Sequence, residues 1–146
     1  MIKKVRMYAD GGSRGNPGPS VGAAVLFAIK DNDDTGDRVG EAARYLGVAT
    51  NNQAEYTGII EGLKKAHELG YNEVEARLDS ELAVRQLNGQ YKVKNPELAK
   101  LYLEIYNLKQ HFRKVTFTHV RREYNVEADA LVNKILDEKV GKRVGR

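Results

Sequence analysis

The chain contains no cysteine in 146 residues. A disulfide framework and any thiolate metal site are therefore excluded, and the cytoplasm is the expected setting. No apolar run approaches the ~18 residues needed to cross a membrane, so no membrane role is expected. The opening residues MIKKVRMYAD carry no long apolar core of a secretory leader. Internal repeats and low-complexity tracts are missing too. Neither sign of charge dominates: 24 Lys and Arg face 20 Asp and Glu, a net +4. That small basic surplus is compatible with a polyanionic partner without identifying one. What remains is an ordinary globular composition, 41% hydrophobic and 30% charged. One domain of this length buries roughly 70% of its unfolded-chain surface.

Hydrophobic periodicity divides the chain into elements. Residues 3–10 alternate through Val5, Met7 and Ala9 and read as a strand. A glycine- and proline-rich turn follows, then a nearly continuous apolar strand over 21–30 and a third strand over 38–49. The spacing changes at 51–70, where Tyr56, Ile59, Ile60, Leu63 and Ala66 mark a helix closed by Gly70. Further on come a strand at 72–79, a short helix at 80–89, a linker QYKVKN, a helix at 96–110, a strand at 113–120 and a helix at 125–140. Three consecutive strands predict an antiparallel meander, and the later strands need helical crossovers, so they lie parallel to a neighbour. The result is an α/β domain with a mixed sheet.

Four acids stand out, and each has a plain structural alternative. Asp10 precedes Gly-Gly, a common turn start. With Asn52 as N-cap, Glu55 falls at N3, where a capping-box glutamate belongs. Asp79 has the position of an N-cap and Asp129 that of a first-turn acid favoured by the helix dipole. Together they mean more. Asp10 and Asp79 close strands, at the sheet edge where α/β proteins gather ligands. Asp129 opens the helix that leaves the fifth strand, and Glu55 leans toward the core side of its helix. Carboxylates gathered at one edge repel unless neutralised, and hard divalent cations prefer such oxygen ligands.

The blocks YADGGSRGNPGP, ATNNQAEYTGIIEGL, LDSELAVRQLNG and NVEADALVN resemble, in order and spacing, the acid-bearing blocks of type 1 ribonuclease H. The likeness spans nearly the whole chain. It implies a ribonuclease H-like α/β fold: a five-stranded mixed sheet of order 3-2-1-4-5, strands 1 to 3 antiparallel, flanked by helices. It also implies a catalytic domain over 1–140 with a basic tail at 141–146, acting as a monomer. The activity implied is cleavage of the RNA strand of an RNA–DNA hybrid with two Mg2+ ions, or Mn2+ in their place, leaving 3′-hydroxyl and 5′-phosphate ends. By this resemblance Asp10 bridges both metals. Glu55 and Asp79 hold the one near the leaving oxygen, and Asp129 the one that activates water. Asn16 and Thr50 resemble residues that grip the DNA phosphate. Asn51, Asn52 and Asn95 resemble groove readers, with helix caps as their alternative role. Gly12 and Ser13 complete the implied substrate-binding set.

The chain also departs from the pattern. The loop VRREYN at 120–125 has no histidine, although many members carry one there; Arg122 and Glu123 are the residues available for its role. His119 reads as a packed or edge residue of the last strand. The linker QYKVKN, with Lys92 and Lys94, replaces a basic insertion that grips the hybrid in several bacterial members. Glu81 stands where a groove-reading glutamine is common. No hybrid-binding module is expected ahead of the domain. The tail carries Lys142, Arg143 and Arg146, and Lys139 lies just before it.

Three rival readings compete with this one. GGSRGNPG does not match G-x-G-x-x-G and leads into a strand, which sets a nucleotide-binding loop aside. An inactive hybrid-binding module would gain nothing from four acids. A nuclease of the same fold acting on DNA junctions or double-stranded RNA stays open, although asparagine amides suit a 2′-hydroxyl.

Overall fold

The computed structural model describes residues 2–141, so Lys142, Arg143 and Arg146 of the expected tail lie outside the described residues. Strands β1 (Lys4–Ser13), β2 (Gly18–Ile29) and β3 (Thr35–Ala49) form a meander. Helix α1 (Asn51–Glu68) then crosses to β4 (Glu73–Leu78). Helices α2 (Glu81–Leu87) and α3 (Pro96–Lys109) cross to β5 (Lys114–His119), and α4 (Val126–Val140) follows a short 3-10 turn at Arg122–Tyr124. The sheet has five strands in the order β3-β2-β1-β4-β5. β1 and β3 both pair antiparallel with β2, while β4 runs parallel to β1 and β5. Among the described residues no helix is long and apolar enough to cross a membrane.

Strand alternation builds two cores on opposite faces of the sheet. Met7, Ala24 and Leu26 pack with Ile59, Ile60 and Leu63 of α1. On the other face Val21 and Ala23 pack with Val132 and Leu136 of α4. Helix α1 approaches β1 and β2 unusually closely. A Cβ on Gly11 would fall on the main chain of Ala54 and Glu55, and one on Gly58 on the Asp10 carbonyl. Only glycine permits that approach. It brings the first turns of α1, and Glu55 with them, down to the Asp10 level of the sheet.

Three local readings of the sequence need correction. β1 does not stop at Asp10. It continues to Ser13 against β2, pairing Asp10 with Ala23 and Ser13 with Ser20. Asp10 is therefore a mid-strand residue, not a turn residue. On its other side the ladder to β4 ends at Ala9 with Leu78, which leaves Asp10 beside a gap in the sheet. The cap of α1 is Thr50, not Asn51 or Asn52: its Oγ1 accepts from Gln53 N at 3.2 Å, and Gln53 Oε1 accepts from Thr50 N at 2.8 Å. The capping box thus belongs to Gln53, and Glu55, one residue deeper than N3 plus one, has no capping duty. Likewise Ser80, not Asp79, caps α2, accepting from Ala83 N at 3.2 Å. Asn95 caps α3 as expected, accepting from Leu98 N at 3.0 Å.

Candidate active site

The sheet gap beside Asp10 is where the acids meet. Asp10, Glu55, Asp79 and Ser80 line one small cleft of about 10 Å³. Asp10 is 8% exposed, a nearly buried carboxylate with no cation bonded to it among the described residues. Burial first, then the charge of Asp79, with smaller parts from Asp129 and Glu55, pushes its carboxyl up from 3.8 to about 8, against a backbone hydrogen bond from Gly11. Burial and the charge of Asp79 push Glu55 up to about 7, while Ser80 and Arg122 pull it down. Asp10 therefore feels the other three acids and Glu55 feels Asp79, although among the described residues no group of three acidic or histidine side chains is placed to hold a metal ion.

Asn125 was read from the sequence only as the start of the last helix. It is 1% exposed and makes no side-chain cap on α4. Instead its Nδ2 donates to the Ala9 carbonyl at 2.9 Å and to Asp79 Oδ2 at 3.2 Å. An asparagine before a helix looks like a cap in any sequence, so this second use left no signal. Of the two loop candidates, Arg122 lies close enough to lower Glu55. Glu123 is exposed and faces Arg121 instead, at 3.4 Å. His119 is an exposed edge residue at the end of β5. Glu81 is held by Arg85 one turn on, at 2.8 Å, along the exposed side of α2.

The expected substrate residues gather in part. Asn16, Thr50, Asn52 and Asn95 line a second cleft, of about 470 Å³, together with Gln53 and Glu97. Asn16 Oδ1 accepts from Asn51 N at 3.0 Å, tying the β1–β2 turn to the start of α1. The Asn51 and Asn52 side chains are exposed. Ser13 Oγ bonds Ser20 Oγ at 2.5 Å, and Gly12 lies against Val132. Both clefts take in residues of the first turns of α1. A polyanion lying across that helix start would meet amide and hydroxyl donors at one cleft and carboxylates at the other.

Comparison with known proteins extends the likeness over the whole domain. The family described as "Reverse transcriptase-like" matches residues 9–135. The crystal structure of RNase H1 from Halobacterium salinarum superposes with a TM-score of 0.86 at 40% identity, covering 92% of this chain and 98% of that one. The chain belongs to the type 1 ribonuclease H family. A second type 1 ribonuclease H, LC11-RNase H1 in complex with an RNA/DNA hybrid, superposes with a TM-score of 0.82 at 39% identity over 92% of this chain and 97% of that one. The "Bifunctional protein" of Mycobacterium tuberculosis is 43% identical over 92% of this chain, which spans only 36% of that relative's length. Against Halobacterium salinarum "Ribonuclease HI" the identity is 41% and the span 65% of the relative.

Proposed function

We propose that this ribonuclease H domain hydrolyses the RNA strand of RNA–DNA hybrids at the Asp10 cleft, leaving 3′-hydroxyl and 5′-phosphate ends. The observation that carries the reading is Asp10 itself: a nearly buried carboxylate pressed by three other acids, its carboxyl pushed up to about 8. A fold gains nothing from such a residue unless a cation takes the proton's place. The donor set fits a hard divalent cation, because carboxylate oxygens are such an ion's preferred ligands and neither cysteine nor a facing histidine competes. Asp10, Glu55, Asp79 and Asp129 would hold two Mg2+ ions, with Mn2+ able to replace them. When bound, the ions supply charge neutralisation at the phosphate, activation of the attacking water and stabilisation of the departing oxygen.

The chain's own residues do the rest. Asp10 stands at the middle of the cluster; Glu55 and Asp79 flank it on the side of Ser80, and Asp129 approaches from α4. The second cleft positions the duplex. Asn16 and Thr50 present neutral donors toward a DNA phosphate, and Asn51, Asn52 and Asn95 offer amides that both donate and accept, as a 2′-hydroxyl requires. Gly12 and Ser13 keep β1 slim beside Asp10 so that a backbone can approach. Arg122, near Glu55, is suited to hold a phosphate oxygen as product forms. Residues 1–140 act as the catalytic domain, as a monomer, and the cysteine-free chain suits the cytoplasm.

The test is cleavage of one labelled sequence presented as RNA–DNA hybrid, double-stranded RNA, double-stranded DNA and single strands, with MgCl2, MnCl2 or EDTA. Metal-dependent cutting of the RNA in the hybrid alone is the expected result. Equal cutting of double-stranded RNA would broaden the substrate, and binding without cutting under every metal would refute the hydrolytic reading.

A further inference from the structure

Asn125 departs from what its place in the chain predicts. It begins α4, where an asparagine side chain normally accepts from the amide two or three residues on. It makes no such bond. Its amide turns inward, buried to 1% exposure, and donates to one acceptor within β1 and one on the residue just past the end of β4. One is the carbonyl of Ala9, the residue before Asp10 and the last of β1 to pair with β4. The other is Oδ2 of Asp79 itself. Its own main-chain carbonyl accepts from Asp129 N at 3.1 Å, one helical turn further on. Its Oδ1 is buried and has no partner among the described residues. A protein gives up a helix cap and leaves a buried oxygen unpaired only where the other contacts matter more.

Those contacts meet at the acids. Asp10 follows Ala9, Asp79 is bonded directly, and Asp129 hangs from the helix turn that Asn125 starts. Asp10 feels the charges of Asp79, Asp129 and Glu55, and like charges this close favour separation of the groups that carry them. We propose that Asn125 is a positioning residue of the cation site: its amide clamps α4 to β1 and β4, turns Asp79 by one oxygen, and so holds three carboxylates in register before any ion arrives. The inference rests on reading these acids as a divalent-cation site. It assigns Asn125 no contact with substrate or cation. Partners that orient ligating carboxylates typically govern metal affinity by ~10–100-fold.

The variants are Asn125→Ser and Asn125→Leu. Serine is the more informative. It keeps a good N-cap for α4, so the fold is retained, but its hydroxyl is too short to bridge Ala9 and Asp79. Leucine matches the shape of asparagine and removes the donor outright. For each, MnCl2 and MgCl2 binding to the free protein is measured by calorimetry and by the metal-induced rise in Tm. The metal midpoint of cleavage and the KM for hybrid at saturating metal are measured alongside. We expect affinity for Mn2+ to fall about 10-fold or more, with the cleavage midpoint moving by the same factor and KM for hybrid unchanged. A lower metal-free Tm with an unmoved metal midpoint would make Asn125 merely structural and overturn the proposal. Wild-type affinity in Asn125→Ser would do the same, while leaving the catalytic reading intact. A wild-type protein that takes up neither ion would overturn both.

Discussion

Replacing Asp10 by asparagine should make the metal-free protein more stable, by a margin that grows between about pH 4 and about pH 8. In the folded chain its carboxyl is pushed from 3.8 up to about 8, by burial first and then by Asp79. A carboxyl whose value is raised on folding binds its proton more tightly in the native state. Its stabilising contribution is complete below about pH 4 and is lost as pH climbs through about 8. Taken for Asp10 alone, the difference amounts to a ceiling of roughly 6 kcal/mol. Glu55, Asp79 and Asp129 share the same repulsion and relax together, so a gain of about 2–4 kcal/mol is the realistic expectation above pH 8. Asn125 and the β1–β2 ladder should still hold the neutral amide in place. For a chain of this length that gain raises Tm by roughly 5–12 °C. The assay is thermal unfolding of wild type and Asp10→Asn in EDTA at pH 5 and pH 9, followed by circular dichroism. The variant should gain least at pH 5, only a little above the unfolded-chain value of 3.8, and most at pH 9, above both values. Saturating MgCl2 should then close the gap, because the wild type alone gains binding energy. Cleavage should be lost throughout. A Tm difference equal at both pH values, or a variant less stable at pH 9, would refute the account of Asp10 as a buried, repelled carboxylate.

Because Asp10 and Glu55 are held up to about 8 and about 7, an ion must displace protons as it binds. Affinity for Mg2+ should therefore rise from pH 6 to pH 9, with proton release visible as a buffer-dependent heat in calorimetry; a buffer-independent heat at pH 7 would contradict it. Gly11→Ala should destabilise by about 2–3 kcal/mol or abolish folding, since its Cβ would fall on the main chain of α1 rather than on a side chain that can swing away; a wild-type Tm would show that α1 sits further off. Arg6, 6% exposed, bonds Glu75 at 2.8 Å, Thr35 at 2.7 Å and the Asp33 carbonyl at 3.0 Å. Burial alone would raise Glu75, but Arg6 and then Arg77 outweigh it and hold it below its ordinary value. Arg6→Met should cost roughly 2–4 kcal/mol at pH 7 and less as the pH falls below the ordinary glutamate range and Glu75 takes up a proton; urea unfolding at neutral and acid pH reads this, and a cost that does not shrink on acidification would remove Glu75 from the account. Thr50→Ala should lower stability by about 1 kcal/mol through the lost cap, measured by urea unfolding, and leave metal affinity unchanged.

Much of this protein could be read from the residues alone. Val5, Met7 and Ala9 alternate with period two, and Ile59, Ile60 and Leu63 recur at helical spacing. Those periods specify element types and, with the helical crossovers, a mixed sheet; the strand order is what the resemblance to type 1 ribonuclease H implies. The acids were legible as a set because each lies next to an element boundary, and boundaries at one sheet edge are neighbours in space. Local hydrogen-bond choices were not legible. Thr50, Asn51 and Asn52 are all good caps, and which one wins depends on where β3 ends and where Gln53 can reach back. Asp79 and Ser80 compete in the same way at α2.

The extension of β1 through Gly11 and Gly12 was hidden for a different reason. Glycine pairs read as turns, yet here they remain in the strand because β2 supplies partners and α1 needs the space that a Cβ would take. Sequence alone thus determined the element types, a mixed sheet and the acids at its edge, since these follow from periodicity and spacing along one chain, and the motif blocks carried the strand order through their resemblance to a family. Only the tertiary structure decided that Asp10 lies buried mid-strand beside a gap, that Arg122 rather than Glu123 faces the acids, and that Asn125 serves the sheet instead of its own helix. Each of those depends on atoms distant in the chain competing for the same few hydrogen bonds and the same few ångströms of space, and that competition is settled only when the elements pack.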